Sequence, residues 1–276
     1  MRVLPMSPPS LPAVHAVALG ALHGPTELLP VSSSAHTTLV PWLLGWPYPD
    51  LDRELRKAFE VALHAGTAAA LLIGLRDEVG AAVRGLDGRR AVLVVGSFLP
   101  PAIAGLALER QIEERLGTPE TIAAGLLVGS LAMVLADARG SRRRARDDAG
   151  LADALALGFG QACALMPGVS RNGAALTAAR LRGFARRDAS VLSRHVALPV
   201  IVGATGLKGV RLARRGVPWP LAAAFAAGMA ASFASTLASV RVIRAVERNR
   251  PFTIYAAYRA TLAAVVLRRS WQNRKR

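Results

Sequence analysis

The chain has 276 residues, 52% of them apolar, with a mean hydropathy of +0.33 and a formal net charge of +17. That hydropathy argues against a soluble Ala-rich bundle. The basic residues sit between apolar runs and aromatics make up only 5%, which excludes a basic, aromatic-studded nucleic-acid face.

In chain order, the N-terminus carries Arg2 and an apolar stretch, but Pro5, Pro8, Pro9 and Pro12 break any signal-peptide core. The first span is therefore expected to be retained. Between Arg2 and Asp50 lie 47 residues with one formal charge, Glu27. Burying a lone carboxylate there is costly unless something pairs with it. Gly24, Pro25, Pro30 and Ser32–Ser34 surround it, which predicts bent backbone rather than straight helix.

Uncharged runs follow at Ala91–Leu108 (18 residues), Thr121–Ala136 (16 residues) and Gly216–Val240 (25 residues). A membrane span needs ~20 mainly apolar residues. Val61–Leu75 is a shorter run, and Arg259 interrupts the run Phe252–Leu267. A second lone ion, Arg171, closes the uncharged run Ala154–Ser170 inside PGVSRNG (167–173). The one cysteine, Cys163, excludes a disulfide framework or thiolate metal site and is expected to be a small buried residue.

The pattern predicts an all-α integral membrane protein. It has about six transmembrane helices plus two re-entrant helix-loop segments. The positive-inside rule puts 76–90 and 139–147 in the cytoplasm and 109–120 outside; further along, the basic loops no longer alternate.

Residues 18–36, ALGALHGPTELLPVSSSAH, and 156–173, ALGFGQACALMPGVSRNG, look like copies of one unit. Each opens with Ala-Leu-Gly and places a polar residue, His23 or Gln161, three positions after that glycine. Each then reaches a proline followed by small residues and serine. Paired Gly/Pro-interrupted segments point to a midplane site between inverted repeats. The chain reads as a single membrane domain, 1–276. Its repeat halves are about 1–140 and 141–276, joined by the basic stretch 139–150.

The two segments hold the candidate chemistry. Ser32, Ser33 and Ser34, with His36 and the nearby Glu27, are the parts of an activated nucleophile. Serine runs also cap helices, and a lone histidine is often a core residue. Arg171 suits phosphate, because its guanidinium forks onto two oxygens. Gly168 and Gly173 would let backbone N–H groups approach an anion, and a half-helix starting at Asn172 would add its dipole. The alternative is that Arg171 only neutralises Glu27, although a buried pair is a poor stabiliser. His23 lies four residues before Glu27 and shares a helical face with it. With Glu27 and His36 it could bind a divalent metal or move protons. His64 is a further polar residue in an apolar run, and core histidine is the alternative for both.

These residues resemble the bacterial undecaprenyl-diphosphate phosphatase, or bacitracin-resistance protein, family. The likeness runs along nearly the whole chain. It is densest in GPTELLPVSSSAH (24–36), FEVALHAG (59–66), GQACALMPGVSRNG (160–173) and FTIYAAYR (252–259). The resemblance implies a multi-pass enzyme of the bacterial plasma (inner) membrane that removes the terminal phosphate of undecaprenyl diphosphate. That recycles the lipid carrier for cell-wall peptidoglycan and confers bacitracin resistance. It implies support by Mg²⁺ or Ca²⁺, held here by Glu27 and His23. Glu27, Ser33, His36 and Arg171 take the catalytic positions. Ser32, Ser170, Gly168, Asn172, Gly173 and Gln161 take the substrate side. The partners expected are the polyprenyl diphosphate and membrane lipids, not nucleic acid, with a homodimer left open. The sequence departs from the family pattern at His23 (usually Glu or Gln), His64 (Gln), Asn172 (Ser) and Ala175 (Thr). Oxygen ligands suit Mg²⁺ and Ca²⁺ while imidazole suits softer metals. A lipid-phosphate flippase and a non-catalytic prenyl-diphosphate binder are the rival readings.

Overall fold

The computed structural model describes residues 11–85, 87–139, 143–247 and 251–275. Arg2, Pro5, Pro8, Pro9 and residues 140–142 of the basic linker lie outside the described residues. The architecture is all-helical: α1 (Ala13–Leu28), α2 (Ser33–Leu44), α3 (Arg53–Gly74), α4 (Arg76–Arg84), α5 (Gly88–Arg115), α6 (Pro119–Arg139), α7 (Leu151–Cys163), α8 (Arg171–Leu181), α9 (Arg186–Arg215), α10 (Trp219–Glu247) and α11 (Thr253–Arg274).

Five of these, α3, α5, α6, α9 and α10, are long and apolar enough to cross a membrane. The chain is a multi-pass membrane protein. Helix α11 has the length, at 22 residues, but carries Arg259, Arg268 and Arg269 and falls below that hydropathy. It packs beside α6, from Met133 against Phe252 and Ala256 at one end to Arg274 against Glu120 at the other. The side-chain distribution fits a lipid solvent. Val95, Ile103, Val128 and Leu131 face outward, while Thr67, Ser97, Ser130, Ser232 and Thr236 are buried. Cys163 is exposed, not buried as expected. A small apolar thiol at the end of α7 needs no protein around it when the surroundings are apolar.

Helices α1, α2, α7 and α8 have 16, 12, 13 and 11 residues, too few to cross at ~1.5 Å per residue. They form two hairpins. The first starts beside Tyr48, Leu51 and Leu221, and α2 returns to the same end. The second starts beside Arg144, and α8 returns to it, with Arg182 and Arg144 both gripping Asp153. The hairpins therefore enter from opposite faces. This accounts for two successive basic stretches sharing one face. A hairpin that returns to its own face leaves 143–150 and 182–187 together, joined by the Arg144–Phe184 bridge, and Arg89 also reaches Asp147 and Ala149 there.

Contrary to the bent-backbone expectation, α1 runs through Pro25 to Leu28, and the turn comes at Leu29–Ser32. Small residues decide what α1 packs on. A side chain at Gly20 would strike the Gly228 carbonyl of α10, and one at Gly24 would strike Ser235 and Thr236. Helix α7 packs in the same way on α5, with Gly158 against Pro100 and Gly96.

Candidate active site

The two hairpin tips meet. Ser32 ends the first turn with φ 74°, and Ser170 ends the second with φ 70°. They are the only non-glycine residues with positive φ among the described residues, a conformation that L-residues adopt at a cost. Each is also an N-cap. The Ser32 hydroxyl accepts from the Ala35 N–H at 3.4 Å, and the Ser170 hydroxyl from the Gly173 N–H at 3.2 Å. Helices α2 and α8 thus begin at the same junction and bring their N-terminal dipole ends to it, which favours an anion. The half-helix expected at Asn172 begins one residue earlier, at Arg171.

Glu27 lies in the last turn of α1, with its side chain only 7% exposed. One carboxylate oxygen takes an ion pair from Arg171 Nη2, and the other accepts the Ser33 hydroxyl. The two lone ions, 144 residues apart, thus meet directly. Arg171 is at this stage the counter-ion of Glu27, placed where a phosphate oxygen could replace the carboxylate. From α3, His64 Nε2 lies 3.8 Å from the Ser33-bearing oxygen of Glu27.

Ser32, Ser33, Ser34, Gln161, Ser170, Arg171 and Asn172 all line one cavity of about 630 Å³, together with Glu27 and His64. The rest of its wall is apolar, from Phe98, Pro101 and Leu106 of α5 and Val200, Ala204 and Leu207 of α9, with Lys208 beside them. The cavity is amphiphilic in outline, with one hydrogen-bonding end and one hydrocarbon-lined channel between two helices. Gln161 hangs from the Ser97 carbonyl at 3.2 Å, and its own carbonyl oxygen is buried without a partner. Asn172 braces the tips, donating to the Leu28 carbonyl and accepting from Ser193 at 2.6 Å.

The structure does not bring every candidate into the cavity. His36 is sandwiched elsewhere, with Nδ1 on the Ser32 carbonyl and Nε2 on the Tyr258 hydroxyl, both at 2.7 Å, and its ring stacked on Tyr258. Gly168 and Gly173 are not cavity-lining either. Gly168, with φ 94°, sits against the backbone of α6 at Ile122 and Leu126, so close approach to a helix, not to a ligand, requires its missing side chain. Gly173 faces the Arg259 guanidinium. Ala175 packs in the core with Leu157 and Phe184.

Arg259, whose charge interrupts an apolar run, meets both hairpin tips, a meeting its sequence context does not announce. It is fully buried on α11 with no carboxylate partner among the described residues. Its guanidinium donates to the carbonyls of Pro30 (3.2 Å), Gly168 (3.0 Å) and Val169 (3.0 Å). One cation therefore ties the tips of both hairpins. A trans peptide points its C=O and N–H oppositely, so holding the Val169 carbonyl turns the Ser170 N–H away from α11.

For a metal, the convergent donors are His23, Glu27 and His64. Mg²⁺ and Ca²⁺ take oxygen ligands. Here two of three donors are imidazoles, which suit softer ions. The donor set does not fit those cations.

A family model described as Bacitracin resistance protein BacA matches residues 16–265. An undecaprenyl-diphosphatase of Geobacter sulfurreducens is 39% identical over 92% of this chain and 97% of its own length. Those of Chromohalobacter salexigens and Moorella thermoacetica are 37% and 34% identical, over 92% and 95% of this chain and 97% and 99% of their own. With the family model covering most of the chain and relatives aligned almost end to end, this chain belongs to the bacitracin resistance protein BacA family.

Proposed function

We propose that the chain is a membrane phosphatase that hydrolyses undecaprenyl diphosphate to undecaprenyl phosphate and inorganic phosphate. The relatives' name supplies the substrate. The observation that carries the chemistry is the Ser33 hydroxyl donating to Glu27 while Arg171 holds the other carboxylate oxygen. Glu27 takes the proton as the nucleophile attacks the terminal phosphorus, and the bridging P–O bond breaks toward the prenyl phosphate. With Ser33 as nucleophile, water from the cavity then cleaves the phosphoserine and returns the enzyme. Arg171 and the N-termini of α2 and α8 oppose the charge spread over the phosphoryl oxygens. The hydrocarbon-lined channel between α5 and α9 takes the prenyl tail.

His36, with both nitrogens engaged, supports Ser32 and Tyr258, which leaves proton transfer to Glu27. Two paired hairpins, Ser32 matching Ser170, and α1 on α10 matching α7 on α5 support inverted repeats with α11 as a sixth span. The excess of arginine on the face carrying 76–90, 143–150 and 182–187 supports placing that face in the cytoplasm and the protein in the plasma membrane.

A flippase or silent binder has no use for a serine hydroxyl held on a carboxylate. The test is phosphate release from a prenyl diphosphate by purified protein, with Ser33→Ala beside wild type. A phosphoenzyme trapped at Ser33 marks serine attack. Substrate binding without phosphate release in the wild type would overturn the reading.

A further inference from the structure

His23, on α1, and His64, on α3, face Glu27, and the ligating atoms of the three lie within 4.8 Å of one another. Each imidazole is held from behind. His64 Nδ1 sits 2.8 Å from the Glu60 carbonyl, which can only accept. The neutral ring therefore carries its proton on Nδ1 and offers a bare Nε2 toward Glu27 Oε2 at 3.8 Å. His23 Nδ1 lies 3.0 Å from the Thr67 hydroxyl, which Ser232 and Thr236 hold in turn at 2.9 and 3.3 Å. His23 is 1% exposed, and its Nε2 is buried with no hydrogen-bond partner. A buried ring nitrogen without a partner is costly and calls for an explanation. Histidines fixed through one nitrogen and bare at the other are typical metal ligands.

We propose that His23, Glu27 and His64 form a site for a nitrogen-preferring divalent transition-metal ion, of which Zn²⁺ and Co²⁺ are the probes, in place of Mg²⁺ or Ca²⁺. Two imidazoles and one carboxylate suit such ions, and the first-row affinity order favours Co²⁺ and Zn²⁺ over weaker binders. Metal–nitrogen bonds of about 2.0–2.1 Å need tetrahedral donors roughly 3.3 Å apart. The three side chains therefore close in by at most about 1.5 Å from their 4.8 Å envelope, within the reach of side-chain rotation. Glu27 can bind through the second lone pair of Oε2, the oxygen that faces His64 and also accepts the Ser33 hydroxyl, and keep Arg171 on Oε1. The ion then shares the charge of Glu27 with Arg171, which loosens Arg171 for a phosphate oxygen. That last role rests on the phosphatase reading; the binding of the ion does not.

The test is equilibrium dialysis of chelator-stripped protein in detergent against Zn²⁺, Co²⁺, Mg²⁺ and Ca²⁺, with bound metal counted by atomic spectroscopy. The visible absorption of the Co²⁺ form reports nitrogen ligation in the unaltered chain, so it stands even if a variant fails to fold. We expect one Zn²⁺ or Co²⁺ per chain. Thr67→Val, which removes an outer partner, weakens it roughly 10–100-fold, and His23→Gln and His64→Gln weaken it further. His15→Gln and His195→Gln, both remote from the cluster, keep full stoichiometry. No bound transition ion, tighter binding of Mg²⁺ or Ca²⁺, or binding that survives both ligand variants overturns the site. Phosphate release on the same samples keeps the two readings apart. Activity without a transition ion removes the ion's part in turnover and leaves the phosphatase; a bound ion without activity keeps the site and removes the phosphatase.

Discussion

Replacing Arg259 by methionine tests whether one buried cation holds the reaction geometry together. Methionine matches the length of the aliphatic stem and removes the guanidinium. Three carbonyls, those of Pro30, Gly168 and Val169, then lose donors at 3.0–3.2 Å around a fully buried side chain. Each unpaired carbonyl costs about 1–3 kcal/mol, so the gross loss is about 3–9 kcal/mol. Relief from burying an unpaired charge offsets part of it. The tips relax to find other partners, and they carry Ser33 and Arg171. A shift of about 1 Å at reacting groups costs on the order of 10²-fold in rate. Arg259 touches no cavity wall, so the loss should fall on kcat, with KM for a soluble short-chain prenyl diphosphate changed far less. Arg259→Lys should rescue only part of kcat, since one ammonium cannot fork across both tips. The assay is steady-state phosphate release from detergent-purified variants whose melting temperature and elution are checked in parallel. A folded Arg259→Met protein with wild-type kcat would refute the reasoning, because the tips would then hold their geometry unaided. A fall in melting temperature with kcat intact would make Arg259 a stabilising residue only.

Glu27→Gln should insert and fold but lose phosphate release by about 10²–10⁴-fold, the usual worth of a positioned base; wild-type turnover in the purified variant would remove Glu27 from the chemistry. Arg171→Lys keeps the charge but loses the fork, so kcat/KM should fall at least about 100-fold, and unchanged kinetics would leave Arg171 a mere counter-ion. His23→Glu adds an oxygen donor beside Glu27, so turnover supported by Mg²⁺ or Ca²⁺ should rise while Zn²⁺ binding falls; identical metal profiles for the two proteins would return His23 to the core. Gly20→Val drives a side chain into the Gly228 carbonyl, and about 1–3 kcal/mol of overpacking should appear as a lower melting temperature of the purified protein.

The all-helical membrane class and the two lone ions were legible in the sequence because apolar solvent makes charge conspicuous; the family was legible only as a resemblance of motifs. Glu27 and Arg171 each stand alone in a long uncharged run, and an ion in that setting must find a partner, so their meeting across 144 residues could be read before any fold was known. Short Pro/Gly-broken runs likewise announced hairpins rather than spans. Other features carry no such signature. Arg259 binds backbone carbonyls, which every residue has, so nothing in the sequence marks Pro30, Gly168 and Val169 as its partners. His36 stands beside the serines in sequence, yet the helix turns its ring onto Tyr258, 222 residues away. His64 comes to Glu27 because Gly66 lets α3 lie close on α10 while Gly20 and Gly24 let α1 do the same, and α10 thereby aligns the two histidines. Residue chemistry and solvent set which groups had to be paired; helix packing alone decided which backbone atom or ring each of them met.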